Sequence, residues 1–149
     1  MDNRYDRDFY SWGLAQADAL RRRSANEIDW DNLAEEVEAL SRSEARELAA
    51  RYAVLLCHLI KWMMQPERRS RSWRNTIEEQ RDAILQHLAE NPGLKSQEAE
   101  RFQQGWRSGR RTASTEMDVD LDAIPADPPF TMEQSKAAGW WPPETPPEA

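Results

Sequence analysis

The chain has 149 residues, 27 acidic and 20 basic side chains, a formal net charge of −7, and 39% apolar against 32% charged residues. This is material for one hydrophobic core and excludes a second full-sized domain. The charge is segregated: residues 1–113 hold 19 side chains of each sign, whereas residues 114–149 hold eight acids, one lysine (Lys136) and seven of the nine prolines.

The opening Met1-Asp2-Asn3-Arg4-Tyr5-Asp6 lacks the apolar run of a secretory leader. The longest mostly apolar stretch, residues 52–60, falls short of the ~20 residues a membrane helix needs. A lone cysteine, Cys57, cannot close an intramolecular disulfide. Together these predict a cytoplasmic protein that does not enter the membrane. Cys57, between Leu56 and His58, reads as a small buried apolar residue.

Hydrophobic spacing of period 3.6 predicts helices throughout the body. The first, about 6–23, places Phe9, Trp12, Gly13, Ala17 and Leu20 on one face and ends in Arg21-Arg22-Arg23, which suits a helix C-terminus. The second, about 30–41, follows Asp29 as N-cap and carries the stripe Trp30, Leu33, Val37 and Leu40. Ser41 and Glu44 form a capping-box spacing that predicts a new helix, running to Gln65 before Pro66. Its stripe is Leu48, Tyr52, Leu55, Leu56, Leu59, Trp62 and Met63. A fourth helix, about 70–90, carries Trp73, Ile77, Ile84, Leu85 and Leu88 and stops at Asn91-Pro92-Gly93. A fifth, about 95–117, carries Ala99, Phe102, Trp106, Gly109, Ala113 and Met117. Short joints predict an all-α, up-and-down bundle of four to five helices over 1–117. Residues 118–149 form an acidic, proline-rich, partly extended tail with one short helix capped by Thr131. Its Ile124, Phe130, Met132, Trp140 and Trp141 predict that it packs on the bundle up to about residue 142. Its acids are expected to meet the arginines of 68–74.

Helical phase places Arg81 and Arg74 inside the apolar sector of the fourth helix, where a guanidinium needs partners. Glu36, on the flank of the second helix, is the expected partner. Arg51, His58 and Gln65 form a polar row on the third helix with Lys61 beside it, so Glu36, His58, Lys61 and Arg81 are candidates to converge. That cluster reads as a structural network or, alternatively, as a site where His58 transfers protons and Lys61 with the arginines holds an anion. No catalytic residue is assigned, because GxSxG, phosphate-binding glycine loops, HExxH and ExxH are all absent. Two histidines and one cysteine predict no metal site, and no cofactor is expected. The run Glu67-Arg68-Arg69-Ser70-Arg71-Ser72-Trp73-Arg74 makes Arg69, Arg71, Ser72 and Trp73 anion-binding candidates. Glu78, Glu79 and Asp82 close behind leave no broad basic face, which argues against nucleic acid.

Several strings resemble one family. They are Tyr5-Asp6-Arg7-Asp8-Phe9-Tyr10-Ser11-Trp12, Ile28-Asp29-Trp30-Asp31-Asn32-Leu33-Ala34-Glu35-Glu36-Val37-Glu38-Ala39-Leu40, His58-Leu59-Ile60-Lys61-Trp62-Met63-Met64-Gln65-Pro66 and Arg71-Ser72-Trp73-Arg74-Asn75-Thr76-Ile77-Glu78-Glu79-Gln80-Arg81. With Pro129-Phe130-Thr131-Met132-Glu133-Gln134 and Trp140-Trp141-Pro142, they resemble the bacterial family called domain of unknown function 29 over nearly the whole chain. The resemblance implies an all-α fold with no established activity. Polar positions shared with the family pattern include Glu36, His58, Lys61, Gln65, Ser72, Trp73, Gln80 and Arg81. Ser135 and Lys136 stand where the family has leucines. The functional expectation is a non-catalytic module that binds an unidentified protein partner, with Trp140 and Trp141 as partner-binding candidates. The alternative is a binder of, or enzyme on, a small anionic or phosphorylated ligand.

Overall fold

Asp8 divides the first helical segment. Its carboxylate accepts the main-chain N–H of Ser11 (3.0 Å), so a single turn, α1 (Arg4–Arg7), precedes α2 (Phe9–Arg22). A computed structural model describes residues 4–144, which are helical without any strand among them. The chain divides into two compact units, Met1–Ser43 and Glu44–Ala149.

In the first unit α2 ends at Arg23, whose left-handed backbone (φ 56°) directs its N–H to the main-chain oxygens of Ala19 and Leu20. A short 3-10 turn (Ala25–Glu27) leads to α3 (Trp30–Met64). Asp29 locks this corner. It accepts from the Trp12 indole N–H (3.0 Å) and the Asn32 amide (2.9 Å), while its own N–H donates to the Gln16 side chain (2.7 Å). Both side-chain bonds hold the Asp29 carboxyl below its ordinary range. The Tyr5 ring meets Trp12 edge-on at 4.8 Å, and its hydroxyl donates to Glu36.

Two sequence expectations fail here. The helix break at Ser41 does not occur, because α3 runs unbroken from Trp30 to Met64. Ser41 sits mid-helix, where its hydroxyl bonds back to the Val37 carbonyl (3.5 Å) instead of capping a new start. The stripe Trp30, Val37 and Leu40 also faces solvent, as do Phe9 and Leu20. No residue of α3 before Ala45 is buried.

In the second unit the core is built from α3 beyond Glu44, α4 (Arg71–Glu90) and α5 (Glu98–Met117). Leu48, Tyr52, Leu55, Leu56, Leu59 and Ile60 of α3 are fully buried with Ile77 and Ile84 of α4 and Trp106 and Ala113 of α5. His87 near the end of α4 meets Glu44, so α4 is antiparallel to α3. Tyr52 meets Glu98 while Lys61 meets Glu116, so α5 is parallel to it. Pro66 opens the 3-10 turn that ends α3, and the Ser70 hydroxyl accepts from the Trp73 N–H (3.2 Å) to start α4. Gly105 and Gly109 set the α3–α5 spacing. A Cβ at either would lie 2.6 Å from the Tyr52 Cβ or 2.7 Å from the Ala53 oxygen.

Past Asp118 the backbone is bound by side chains of the bundle. Arg110 donates to the Leu121 and Ile124 carbonyls (2.8–3.0 Å) and the Trp106 indole to Ala126 (2.9 Å). Ile124 and Phe130 are buried in the common core. Thr131 and Gln134 form a reciprocal capping box for α6 (Met132–Lys136).

Candidate functional site

Arg81 is the charged residue that most needs an account. It is buried, and its guanidinium donates through Nε to the Ser135 carbonyl (2.9 Å) and through a terminal nitrogen to the Trp140 carbonyl (2.7 Å). Burial depresses its pKa, against the opposing charge of Glu78. Its other terminal nitrogen, and the Gln80 side-chain oxygen beside it in sequence, are buried without a hydrogen-bond partner. Glu36 is not its partner. It accepts from Tyr5, whereas Arg81 donates to main-chain oxygens and Lys61 pairs with Glu116, so the expected Glu36–Arg81 pair does not form.

The other candidates divide between two places. At the start of α4, the Trp141 ring stacks on Trp62 at 4.3 Å and lies under the guanidiniums of Arg74 (5.3 Å) and Arg81 (5.5 Å). Arg69 covers Trp62 at 4.9 Å and donates to its carbonyl (2.8 Å). Trp140 meets Phe130 edge-on at 5.3 Å. Both tryptophans offered as partner-binding candidates are therefore engaged within the chain. Arg71 and Ser72 are exposed at this helix start. A shallow depression of about 250 Å³ lies between Trp62, Arg69, Ser70, Arg71 and Arg74. The tail meets the arginine turn through rings and carbonyls, and no carboxylate of 118–144 is ion-paired with Arg68–Arg74 among the described residues.

The second place is the far end of α3. Lys61 is ion-paired with Glu116 of α5 and covers the Trp73 ring at 5.5 Å. The hydrogen bond from Lys61 holds Glu116 below its ordinary pKa. The buried Cys57 thiol approaches Glu116 (3.7 Å), and burial with that negative neighbour raises its pKa to about 12. Such a thiol is a poor nucleophile at neutral pH. His58 has Nδ1 2.8 Å from the Val54 carbonyl one turn back, and Gln65 is half-buried where α3 ends. Neither forms an acid–base pair.

Sequence reasoning missed two arrangements. His87 is buried with Nδ1 2.8 Å from the Glu47 carboxylate and Nε2 2.8 Å from the Glu44 carbonyl. Glu44, Glu47 and His87 bring three potential ligand atoms within 4.8 Å of one another, which makes them the group best placed to hold a metal ion among the described residues. The Glu44–Glu47 spacing of three was a visible signal, but nothing in the chain indicated that α4 would deliver His87 there. The other arrangement is buried Glu98, which accepts from the Tyr52 hydroxyl (2.6 Å) and pairs with Lys136 (2.6 Å). Lys136 thus has a buried carboxylate partner, and the fully buried Ser135 satisfies its hydroxyl on the Met132 carbonyl.

Among the described residues no helix is long and apolar enough to cross a membrane. Neither a curated protein nor a solved structure matches the chain. The family model described as "Domain of unknown function DUF29" matches residues 4–141, and the chain belongs to that family.

Proposed function

We propose that this chain is a non-catalytic protein-interaction module of the bacterial cytoplasm, with its first unit as the docking arm. One observation carries the reading: α2 has two apolar faces and uses only one. Trp12, Gln16 and Ala19 are buried, whereas Tyr10 (76% exposed) and Leu14 (57%), one turn apart, face solvent. Among the described residues, seven of the nine exposed large apolar side chains belong to this unit. Exposed apolar rows of this kind mark protein contacts. The second unit is compatible with the same reading, because Lys61 is paired with Glu116 and Arg81 donates to main-chain oxygens. Its single buried thiol suits a reducing compartment. The test is affinity capture from the native cell with the wild-type chain and a Tyr10→Ser/Leu14→Glu variant. Loss of a captured protein with unchanged helicity supports the reading, and identical capture contradicts it.

A second reading, binding of a small anionic or phosphorylated ligand, is favoured by a groove of about 550 Å³ between α3 and α5. Arg46, Arg107 and Arg111 edge it with no carboxylate in its lining, and none of the three has an ion-pair partner among the described residues. Titration with pyrophosphate tests this reading, with an Arg107→Gln/Arg111→Gln variant as the control that loses any binding.

A further inference from the structure

His87 is a buried imidazole (6% exposed) in the last turn of α4, with an oxygen at each of its nitrogens. Nε2 is 2.8 Å from the Glu44 main-chain carbonyl, and Nδ1 is 2.8 Å from the Glu47 carboxylate. A carbonyl oxygen only accepts, so in a neutral ring Nε2 carries the hydrogen. Nδ1 then turns its lone pair toward a carboxylate. That arrangement needs a cation between the two groups, either a second ring proton or a metal ion. The Glu44 carboxylate stands close by, 3.5 Å from Nε2. One ligand atom from each of Glu44, Glu47 and His87 lies within 4.8 Å of the other two.

We propose that Glu44, Glu47 and His87 bind a divalent first-row transition-metal ion, typified by Zn2+. The ligands are Nδ1 and one oxygen of each carboxylate, and water completes a four-coordinate site. The donor set selects this class of ion: one imidazole nitrogen with two carboxylates suits Zn2+, whereas Ca2+ and Mg2+ favour oxygen throughout. The surroundings already hold the ring as a ligand. The Nε2–H bond to the Glu44 carbonyl fixes the tautomer that leaves Nδ1 free, which is the outer bond that ligating histidines usually make. The second oxygen of Glu47 accepts from Arg51 (3.3 Å), which orients that carboxylate in turn. Ligands around a tetrahedral ion bound at about 2.1 Å lie about 3.4 Å apart. The glutamates reach that spacing by turning their side chains, which are 47% and 44% exposed, so the ion also has a path in from solvent. The imidazole stays fixed by burial. The ion would tie α3 to the C-terminal turn of α4, whose partial negative charge favours a cation. Counting histidines and thiols, the basis for expecting no metal, leaves such a carboxylate pair out of account. The site is separate from the α2 face and from the arginine-edged groove, and it needs neither.

The experiment is calorimetric titration of the chelator-stripped full chain with ZnCl2. It is run alongside Glu47→Gln, His87→Gln and, as control, His58→Gln, which removes the other histidine. Wild type and His58→Gln are expected to take up one ion per chain and to melt at a higher temperature with Zn2+ than without it. Glu47→Gln keeps the size of an exposed side chain and is expected to fold normally and bind at least about tenfold more weakly. His87→Gln is expected not to bind. No uptake at ~100 µM Zn2+ overturns the inference and leaves a ring proton as the cation. Binding indifferent to Glu47→Gln also overturns it, as does binding lost in His58→Gln, or Ca2+ and Mg2+ binding as tightly as Zn2+.

Discussion

The Arg81 guanidinium donates to the carbonyl of Trp140, 59 residues further along the chain, at 2.7 Å. One buried cation thus ties the C-terminal strap to α4, and its partners are main-chain oxygens in place of a carboxylate. Substitution Arg81→Met strands the Ser135 and Trp140 oxygens and frees the strap. Unfolding in urea should show a loss of about 2–4 kcal/mol. Amide exchange should accelerate first across 132–142.

The strap supplies part of the core. Ile124 and Phe130 are buried against α5, and Phe130 packs edge-on to Trp106 at 5.7 Å. A chain cut after residue 118 loses both and bares the Trp106 indole N–H and the Arg110 guanidinium. Calorimetry is expected to show a broadened transition at lower temperature, with dye binding to exposed apolar surface.

Two glycines make opposite predictions. A Cβ at Gly109 would lie 2.7 Å from the Ala53 oxygen and 3.0 Å from the Cys57 nitrogen, both main chain, so Gly109→Ala should cost about 1–3 kcal/mol in urea unfolding. Gly13, inside α2, has nothing within 4 Å of an added Cβ. Gly13→Ala should raise stability by up to about 1 kcal/mol through helix propensity.

The Lys61–Glu116 pair predicts an acid dependence. The folded pKa of Glu116 lies below its ordinary 4.5, so its contribution is present above that value and lost as pH falls through the folded one. The melting-temperature difference between wild type and Glu116→Gln should be present at neutral pH and close in acid.

Cys57 predicts the alkaline counterpart. Its pKa is raised from 9.0 to about 12, so its contribution holds below 9 and is lost as pH rises toward 12. Iodoacetamide should label it slowly in the native chain and at the ordinary rate in denaturant.

Local signals in the sequence located what local physics decides. Thr131 caps its helix, Pro66 and Pro92 end theirs, and the stripe from Leu48 to Met63 is buried apart from the half-buried Trp62. Helical phase also placed Arg81 correctly on an apolar face, but not the exposed Arg74. It could not say which distant segment arrives there, and the expected partner, Glu36, bonds to Tyr5 instead. Ser41 misled for a related reason: its capping spacing was sound, but an unbroken helix satisfies the same backbone groups without it. The exposed stripe of Trp30, Val37 and Leu40 looked like core because periodicity reports an apolar face without reporting what covers it.

The claim that the first unit is a docking arm is tested most directly by a photocrosslinking residue placed at Leu14, with Leu85 of α4 as an equally exposed control. Irradiated in the native cell, position 14 should yield adducts heavier than the chain, and position 85 should yield none. Equal crosslinking at both positions, or none at position 14, would contradict the account.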